Sequence, residues 1–120
     1  MAAGDANQPC LGYITTASVH DAQNLSYRLL EAGVIACANI LPTMTSIYRF
    51  DGKMESATEV VLLIKTTAAR YADLEAAIRA AHPYELPEII AVPIIYGLPE
   101  YLGWVATETR TAPADGNLPA

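Results

Sequence analysis

The sequence has few basic residues, few cysteines and few aromatic rings other than tyrosine. Its 7 lysine and arginine residues stand against 13 aspartate and glutamate residues, which gives a formal net charge of -6 at pH 7. Such a chain repels phosphate backbones and offers no basic surface, so we expect no nucleic-acid partner. Its two cysteines, Cys10 and Cys37, are too few and too distant for a disulfide scaffold, and they favour a reducing compartment.

Long apolar runs are also missing, although apolar residues make up 52% of the chain. No segment approaches the roughly 18 apolar residues of a membrane-spanning helix. The first residues lack the basic and apolar regions of a secretory leader, so we expect a cytoplasmic protein with no membrane contact. A chain of 120 residues supports one small domain, predicted at 11–110, with disordered segments at 1–10 and 111–120.

The residue pattern predicts the order β-α-β-β-α-β, followed by a short third helix. The strands are expected at residues 11–16, 34–50 with an interruption at Pro42, 53–65 and 89–96; the helices are expected at 19–32, from Thr67 to His82, and from Pro99 onward. Ser18 and Asp21 resemble a capping box, and Gly33 suits the end of the first helix. This order is typical of the ferredoxin-like α+β fold.

The predicted hairpin of the second and third strands is longer than the helices that would cover it. Its return strand of 13 residues from Lys53 would span roughly 43 Å, whereas the first helix would span about 21 Å. An apolar hairpin left open to water invites edge pairing. We therefore expect identical subunits to cover it in a closed, symmetric oligomer.

Polar side chains that can do chemistry are concentrated between residues 82 and 88. His82 could bind copper or another divalent cation through its imidazole, with Glu85 and Glu88 as oxygen ligands and Cys37 as a soft thiolate from elsewhere. Alternatively, His82 caps the second helix, Cys37 is a packed apolar residue, and the two carboxylates are solvated. Pro83 and Pro87 should hold the connector in an extended conformation.

Several ordered blocks of the sequence resemble one known family. They are 36–42 (Ala-Cys-Ala-Asn-Ile-Leu-Pro), 45–55 (Thr-Ser-Ile-Tyr-Arg-Phe-Asp-Gly-Lys-Met-Glu), 63–66 (Leu-Ile-Lys-Thr), 82–88 (His-Pro-Tyr-Glu-Leu-Pro-Glu) and 101–104 (Tyr-Leu-Gly-Trp). Together they identify the chain as similar to the CutA1 divalent-cation-tolerance family from Tyr13 to Thr109. The resemblance implies a ferredoxin-like homotrimer, similar in architecture to PII signalling proteins, and a link to copper and other divalent metals.

The sequence departs from that family at three positions. A copper site proposed for bacterial relatives uses a cysteine and two adjacent histidines, whose positions here resemble Thr15, Ala81 and His82. One of the three ligands is therefore retained. Phe50 stands where the family usually has tryptophan, which removes an indole N–H donor.

Two functions follow as hypotheses. The first is a divalent-cation response protein that binds copper or a similar ion as a trimer. The second is a PII-like regulatory scaffold whose metal link is indirect and whose subunit clefts bind a small anionic ligand or a partner protein. The side chains expected to line those clefts are Tyr48, Phe50, Lys65, Tyr84 and Trp104.

Neither an enzyme nor an organic cofactor is expected, because the sequence has no G-x-S-x-G, phosphate-loop or dinucleotide-binding motif. A minor hypothesis makes His82 a general base oriented by Glu85 or Glu88. Glu59 and Lys65, which flank the apolar run of the third strand, are expected to form a charged pair between subunits.

Overall fold

The computed structural model describes residues 5–110, and its strands and helices follow the predicted order. The strands are β1 (Pro9–Thr16), β2 (Cys37–Phe50), β3 (Lys53–Thr67) and β4 (Ile89–Pro93); the helices are α1 (Val19–Glu31), α2 (Tyr71–Ala81) and α3 (Pro99–Glu108). A single 3-10 turn, Ala68–Arg70, joins β3 to α2. Within the described residues, no helix is long and apolar enough to cross a membrane.

Some boundaries differ from the predicted ones because of backbone pairing. β1 begins at Pro9, where the backbone already pairs with β3. β2 begins at Cys37 rather than Val34, since residues 34–36 belong to the turn that follows α1. Pro42 does not divide β2, whose pairing with β3 continues through an irregularity between Leu41 and Met44. Residues 1–4 and 111–120, predicted to be disordered, lie outside the described residues.

Helix α1 begins and ends where its capping residues predict. The Ser18 hydroxyl accepts a hydrogen bond from the Asp21 amide at 3.1 Å, which satisfies one free donor of the first turn. At the other end Gly33 adopts a φ of 72°, and its amide bonds to the Leu30 carbonyl. The Val34 amide bonds to the Leu29 carbonyl at 3.2 Å, which completes a Schellman motif.

The four strands form one antiparallel sheet in the order β2-β3-β1-β4. Helices α1 and α2 cover one face of it, and the core between them is aliphatic: Ile14, Leu25, Leu29, Val34, Ile35, Leu62, Ile64, Leu74 and Ile78. Successive residues of a strand point to opposite faces, so Lys65 faces away from the core that contains Ile64. This is the ferredoxin-like arrangement expected from the sequence.

Much of the long hairpin is left without cover in the single chain. The molecule extends 47 Å along its longest axis, and β2 and β4 are the two edges of the sheet. Large apolar side chains are exposed on the hairpin and on the β4 edge: Leu41, Ile47, Phe50, Met54, Ile90 and Val92. Ile47 and Met54, at 77% and 81% exposure, are almost as open to water as in an extended chain.

Candidate functional site

The connector from residue 82 to residue 88 starts at the end of α2, as predicted. The His82 amide still bonds to the Ile78 carbonyl at 2.7 Å, and the residue then turns to an extended conformation with φ -80° and ψ 135°. Pro83 requires that turn because it disfavours helical geometry in the residue before it. His82 is therefore the last residue held by the helix and the first of the connector.

Both ring nitrogens of His82 are used in contacts within the chain. Nε2 lies 2.7 Å from the Thr15 carbonyl oxygen, and Nδ1 accepts a hydrogen bond from the Tyr84 amide at 3.0 Å. Since a carbonyl oxygen only accepts, the ring proton is assigned to Nε2, and the imidazole is neutral. The side chain is 8% exposed. His82 thus joins β1 to the connector and keeps no free lone pair for a metal ion.

Tyr84 carries the connector to the sheet. Its hydroxyl donates to the Glu59 carboxylate at 3.0 Å, and its ring lies 4.6 Å from the His82 ring, centroid to centroid. Glu59 is only 8% exposed. Burial, followed by the hydrogen bond and the negative charge of Glu59, raises the pKa of Tyr84 to about 12. The phenol therefore stays neutral and holds a buried carboxylate at neutral pH.

The four predicted metal ligands do not come together in the single chain. Glu85 and Glu88 are exposed to solvent beyond His82. Cys37 pairs with Lys65, which pairs with Leu11. Leu11 lies four residues from Thr15, whose carbonyl contacts the His82 ring. About 13 Å of β1 therefore separates the position beside Lys65 and Cys37 from the position beside His82. Among residues 5–110, no three histidine, cysteine, aspartate or glutamate side chains are grouped to hold an ion. The potential ligand atoms of the single chain therefore do not form a metal site.

Cys37 lies in a polar cluster rather than in the apolar packing that was the alternative interpretation. Lys65 Nζ donates to Cys37 Sγ at 3.7 Å and also to the Asn39 carboxamide oxygen. Tyr101 of α3 lies beside them, and burial together with the neighbouring Cys37 thiol raises the pKa of its phenol. Within the chain Lys65 bonds to Cys37 and Asn39, and Glu59 bonds to Tyr84. Glu59 and Lys65, predicted to pair between subunits, are therefore not in contact within the chain.

Among the residues predicted to line a ligand cleft, Tyr48 lies close enough to Tyr84 to help raise the pKa of its phenol. Lys65 and Trp104 both border the cluster of Cys37 and Tyr101. Tyr48, Phe50 and Trp104 are exposed, and Lys65 and Tyr84 are half-buried. A cleft with a volume of about 130 Å³ lies between α1 and the end of α2. Its lining is a different set: Thr16, Asp21, Asn24, Leu25, Arg28, Ala81, His82 and Pro83. Of the sequence-predicted site residues, His82 alone lines it.

Sequence reasoning missed the pairing of Tyr84 with Glu59. Glu59 is an acid placed directly before a buried apolar run, which signals a need for a partner. The sequence could not identify that partner, since the two residues are 25 positions apart and Tyr84 belongs to a connector.

The fold and the connector define a ferredoxin-like α+β protein with a buried polar link from α2 to the sheet. Comparison with known proteins assigns it more narrowly. The family described as CutA1 divalent ion tolerance protein matches residues 10–108. The chain belongs to this family.

Its relatives come from distant organisms. The chain is 42% identical over 96 residues to the divalent-cation tolerance protein CutA of Thermus thermophilus, covering 80% of this chain and 93% of that protein. It is 42% identical over 93 residues to the protein CutA homolog of Xenopus laevis, covering 78% of this chain and 62% of the frog protein. The chain thus spans less than two thirds of the frog protein's length.

Solved structures confirm the architecture. The crystal structure of CutA from Xylella fastidiosa superimposes with a TM-score of 0.83 at 40% sequence identity. The match covers 86% of this chain and 99% of that one. The family predicted from the sequence blocks and the α+β fold of the single chain are therefore confirmed.

Proposed function

We propose that the chain acts in the cellular response to divalent cations as a cytoplasmic, homotrimeric, PII-like regulatory scaffold. In this proposal its link to metals is indirect, and the clefts between subunits bind a small anionic ligand or a partner protein. The observation that carries the proposal is the state of His82, whose two nitrogens are both engaged within the protomer. No catalytic step is part of it.

The proposal of a trimer is based on the uncovered hairpin and on the two unpaired edges of the sheet. β2 and β4 are different strands, so pairing one with the other on a neighbour makes a head-to-tail contact. Such a contact forms a closed ring when the rotation between neighbours closes, and a ring of three is the proposed form. Exposed Ile47 and Met54 give such a contact apolar area. Light scattering at micromolar concentration should give three times the protomer mass of 12.8 kDa. A stable monomer would refute the trimer and its clefts together.

The proposal of an anionic ligand is based on Lys65. Its ammonium is half-buried on the sheet face opposite α1 and α2, and its hydrogen-bond partners, Asn39 and Cys37, include no carboxylate. A neighbouring subunit that brings Tyr48 or Phe50 to this face would form a cleft with one fixed positive charge. A cation held there favours a carboxylate or phosphate ligand.

A thermal-shift panel of nucleotides and carboxylate metabolites tests this role. A ligand at 100 times its dissociation constant stabilises the folded state by about 2.7 kcal/mol, which raises the midpoint by several degrees. Lys65→Gln should abolish the shift, and Lys53→Gln, which removes an exposed lysine at the hairpin tip, should keep it. Absence of any shift across the panel would contradict the small-ligand role.

Direct binding of Cu(II) or another divalent cation is the second candidate. It is favoured by Glu85 and Glu88, two exposed carboxylates on a connector that His82 anchors. Copper titration followed by calorimetry compares wild type with His82→Ala, and His20→Ala, which removes the other histidine, is the matched control. Loss of one copper per protomer in His82→Ala alone supports this candidate; equal stoichiometry in all three proteins excludes His82.

A further inference from the structure

A thiol and an amine face each other at the beginning of β2. Cys37 and Lys65 are directly opposed in the β2–β3 register, and Lys65 Nζ lies 3.7 Å from Cys37 Sγ. The Asn39 carboxamide oxygen accepts from the same ammonium, which holds the lysine over the sulfur. Both side chains are half-buried, so a small oxidant reaches them. The pair is therefore positioned for a reaction between its two heteroatoms.

The second cysteine provides an internal contrast. The Cys10 thiol donates to the Gln8 carbonyl at 3.5 Å, and burial raises its pKa. A raised pKa leaves less of the reactive thiolate at neutral pH. Cys10 is opposed to Thr66 and Pro93 in the sheet, neither of which carries an amine. The two cysteines of one chain therefore differ in the group that faces the sulfur.

We propose that Cys37 and Lys65 form a reversible covalent crosslink in which one oxygen atom bridges sulfur and nitrogen when the protein meets hydrogen peroxide. One peroxide oxidises the thiol to a sulfenic acid and releases water. The Lys65 ammonium first gives one proton to water, and a second peroxide then oxidises the resulting amine to a hydroxylamine and releases water. Condensation of the two releases a third water and leaves S–O–N. Sulfur and nitrogen each give up two electrons, which the two peroxides accept.

The geometry favours a bridging oxygen over a direct bond. A gap of 3.7 Å narrows only modestly when one oxygen is placed between the two atoms, whereas a direct S–N bond requires less than half that separation. The backbones of the two residues are already paired, so the sheet does not have to move. The crosslink converts a cation into a neutral group. On the proposed function above, oxidation therefore removes the charge that binds the anionic ligand.

Mass spectrometry of the full chain tests the crosslink without any ligand. After mild peroxide treatment the intact mass should rise by about 14 Da, the gain of one oxygen and loss of two hydrogens. Digestion should release the peptides that contain Cys37 and Lys65 joined to each other. Excess dithiothreitol, two molecules of which supply the four electrons of the reduction, should restore the original mass. Cys37→Ser and Lys65→Arg should each abolish the product, and Cys10→Ser should retain it. Circular dichroism checks that each of these variants is folded.

Other products would overturn the proposal. Peroxide adducts of about 16 or 32 Da confined to Cys37, with Lys65 unmodified, would show simple oxidation of the thiol. A product about 2 Da lighter than the untreated chain that Cys10→Ser also forms, and that therefore is no Cys10–Cys37 disulfide, would show a direct S–N bond and exclude the bridging oxygen. Because these masses are read in the absence of ligand, failure of the crosslink leaves the proposed scaffold role standing, and failure of the ligand panel leaves the crosslink standing.

Discussion

Replacing Tyr84 with phenylalanine isolates the hydrogen bond that holds the connector on the sheet. The phenylalanine ring retains the contact with His82, whose centroid lies 4.6 Å away, and removes only the hydroxyl. The Glu59 carboxylate, 8% exposed, then loses the donor 3.0 Å from its oxygen. Leaving a buried acceptor without a partner costs roughly 1–3 kcal/mol, with charged groups at the upper end. We expect Tyr84→Phe to lose about 2 kcal/mol of unfolding free energy.

Glu59→Gln is the matched second change, because glutamine keeps an acceptor oxygen for the Tyr84 hydroxyl but carries no charge. Tyr84→Phe in that background should cost about 1 kcal/mol, the value typical of a neutral hydrogen bond. The difference between the two costs measures the part of the interaction that depends on the carboxylate charge.

Urea unfolding followed by circular dichroism measures these free energies, at one fixed protomer concentration because oligomer stability depends on it. The pH dependence gives an independent check. The folded pKa of Tyr84, about 12, is raised above its ordinary value of 10. The phenol's contribution is therefore complete below pH 10 and is lost as the pH rises towards 12. The wild type should lose more stability than Tyr84→Phe across that window. A variant within about 0.5 kcal/mol of wild type at pH 8, with the same slope, would refute the reasoning.

Three further variants test the packing and capping by the same urea measurement. Gly12→Ala places a Cβ 2.5 Å from Cγ1 of fully buried Ile64, so we expect a loss of roughly 1–3 kcal/mol; unchanged stability would show that Ile64 moves freely. Ser18→Ala removes the acceptor of the Asp21 amide and should cost about 1 kcal/mol of unfolding free energy. Ser18→Asp keeps an acceptor oxygen and should retain most of the wild-type stability. Gly33→Ala meets no neighbour within 4 Å but must adopt φ 72°, so a cost of about 1 kcal/mol is expected; a neutral substitution would contradict the Schellman motif.

Local features were predictable from the sequence because their causes are local. Ser18 and Gly33 set the ends of α1 through hydrogen bonds to residues no more than five positions away. The Asp51–Gly52 turn joins β2 to β3, and both residues have positive φ as a tight hairpin requires. Pro42 was the exception. It was expected to interrupt β2, but the strand crosses it because the pairing with β3 absorbs the irregularity there.

The site was less predictable because its contacts join distant parts of the chain. The reactive residue types between 82 and 88 were evident, yet the Thr15 carbonyl that holds His82 is 67 positions away. A backbone carbonyl has no sequence signature, so nothing in the residue pattern indicated that the imidazole would be fully used. The capping role expected for the His82 side chain at the end of α2 is replaced by two hydrogen bonds of the ring, to β1 and to the connector.

The two bonds of His82 also separate the two candidate functions. An ion that takes the Nδ1 lone pair must displace the Tyr84 amide, since one lone pair cannot serve both. The amide then becomes an unpaired donor and the connector loses an anchor. Zinc binding at His82 should therefore speed hydrogen exchange at the Tyr84 amide, whereas an anion at Lys65 should leave that amide protected. Exchange at Ile14, a fully buried residue of β1, serves as the reference in both experiments. Zinc binding with unchanged exchange at Tyr84 would place the ion away from His82.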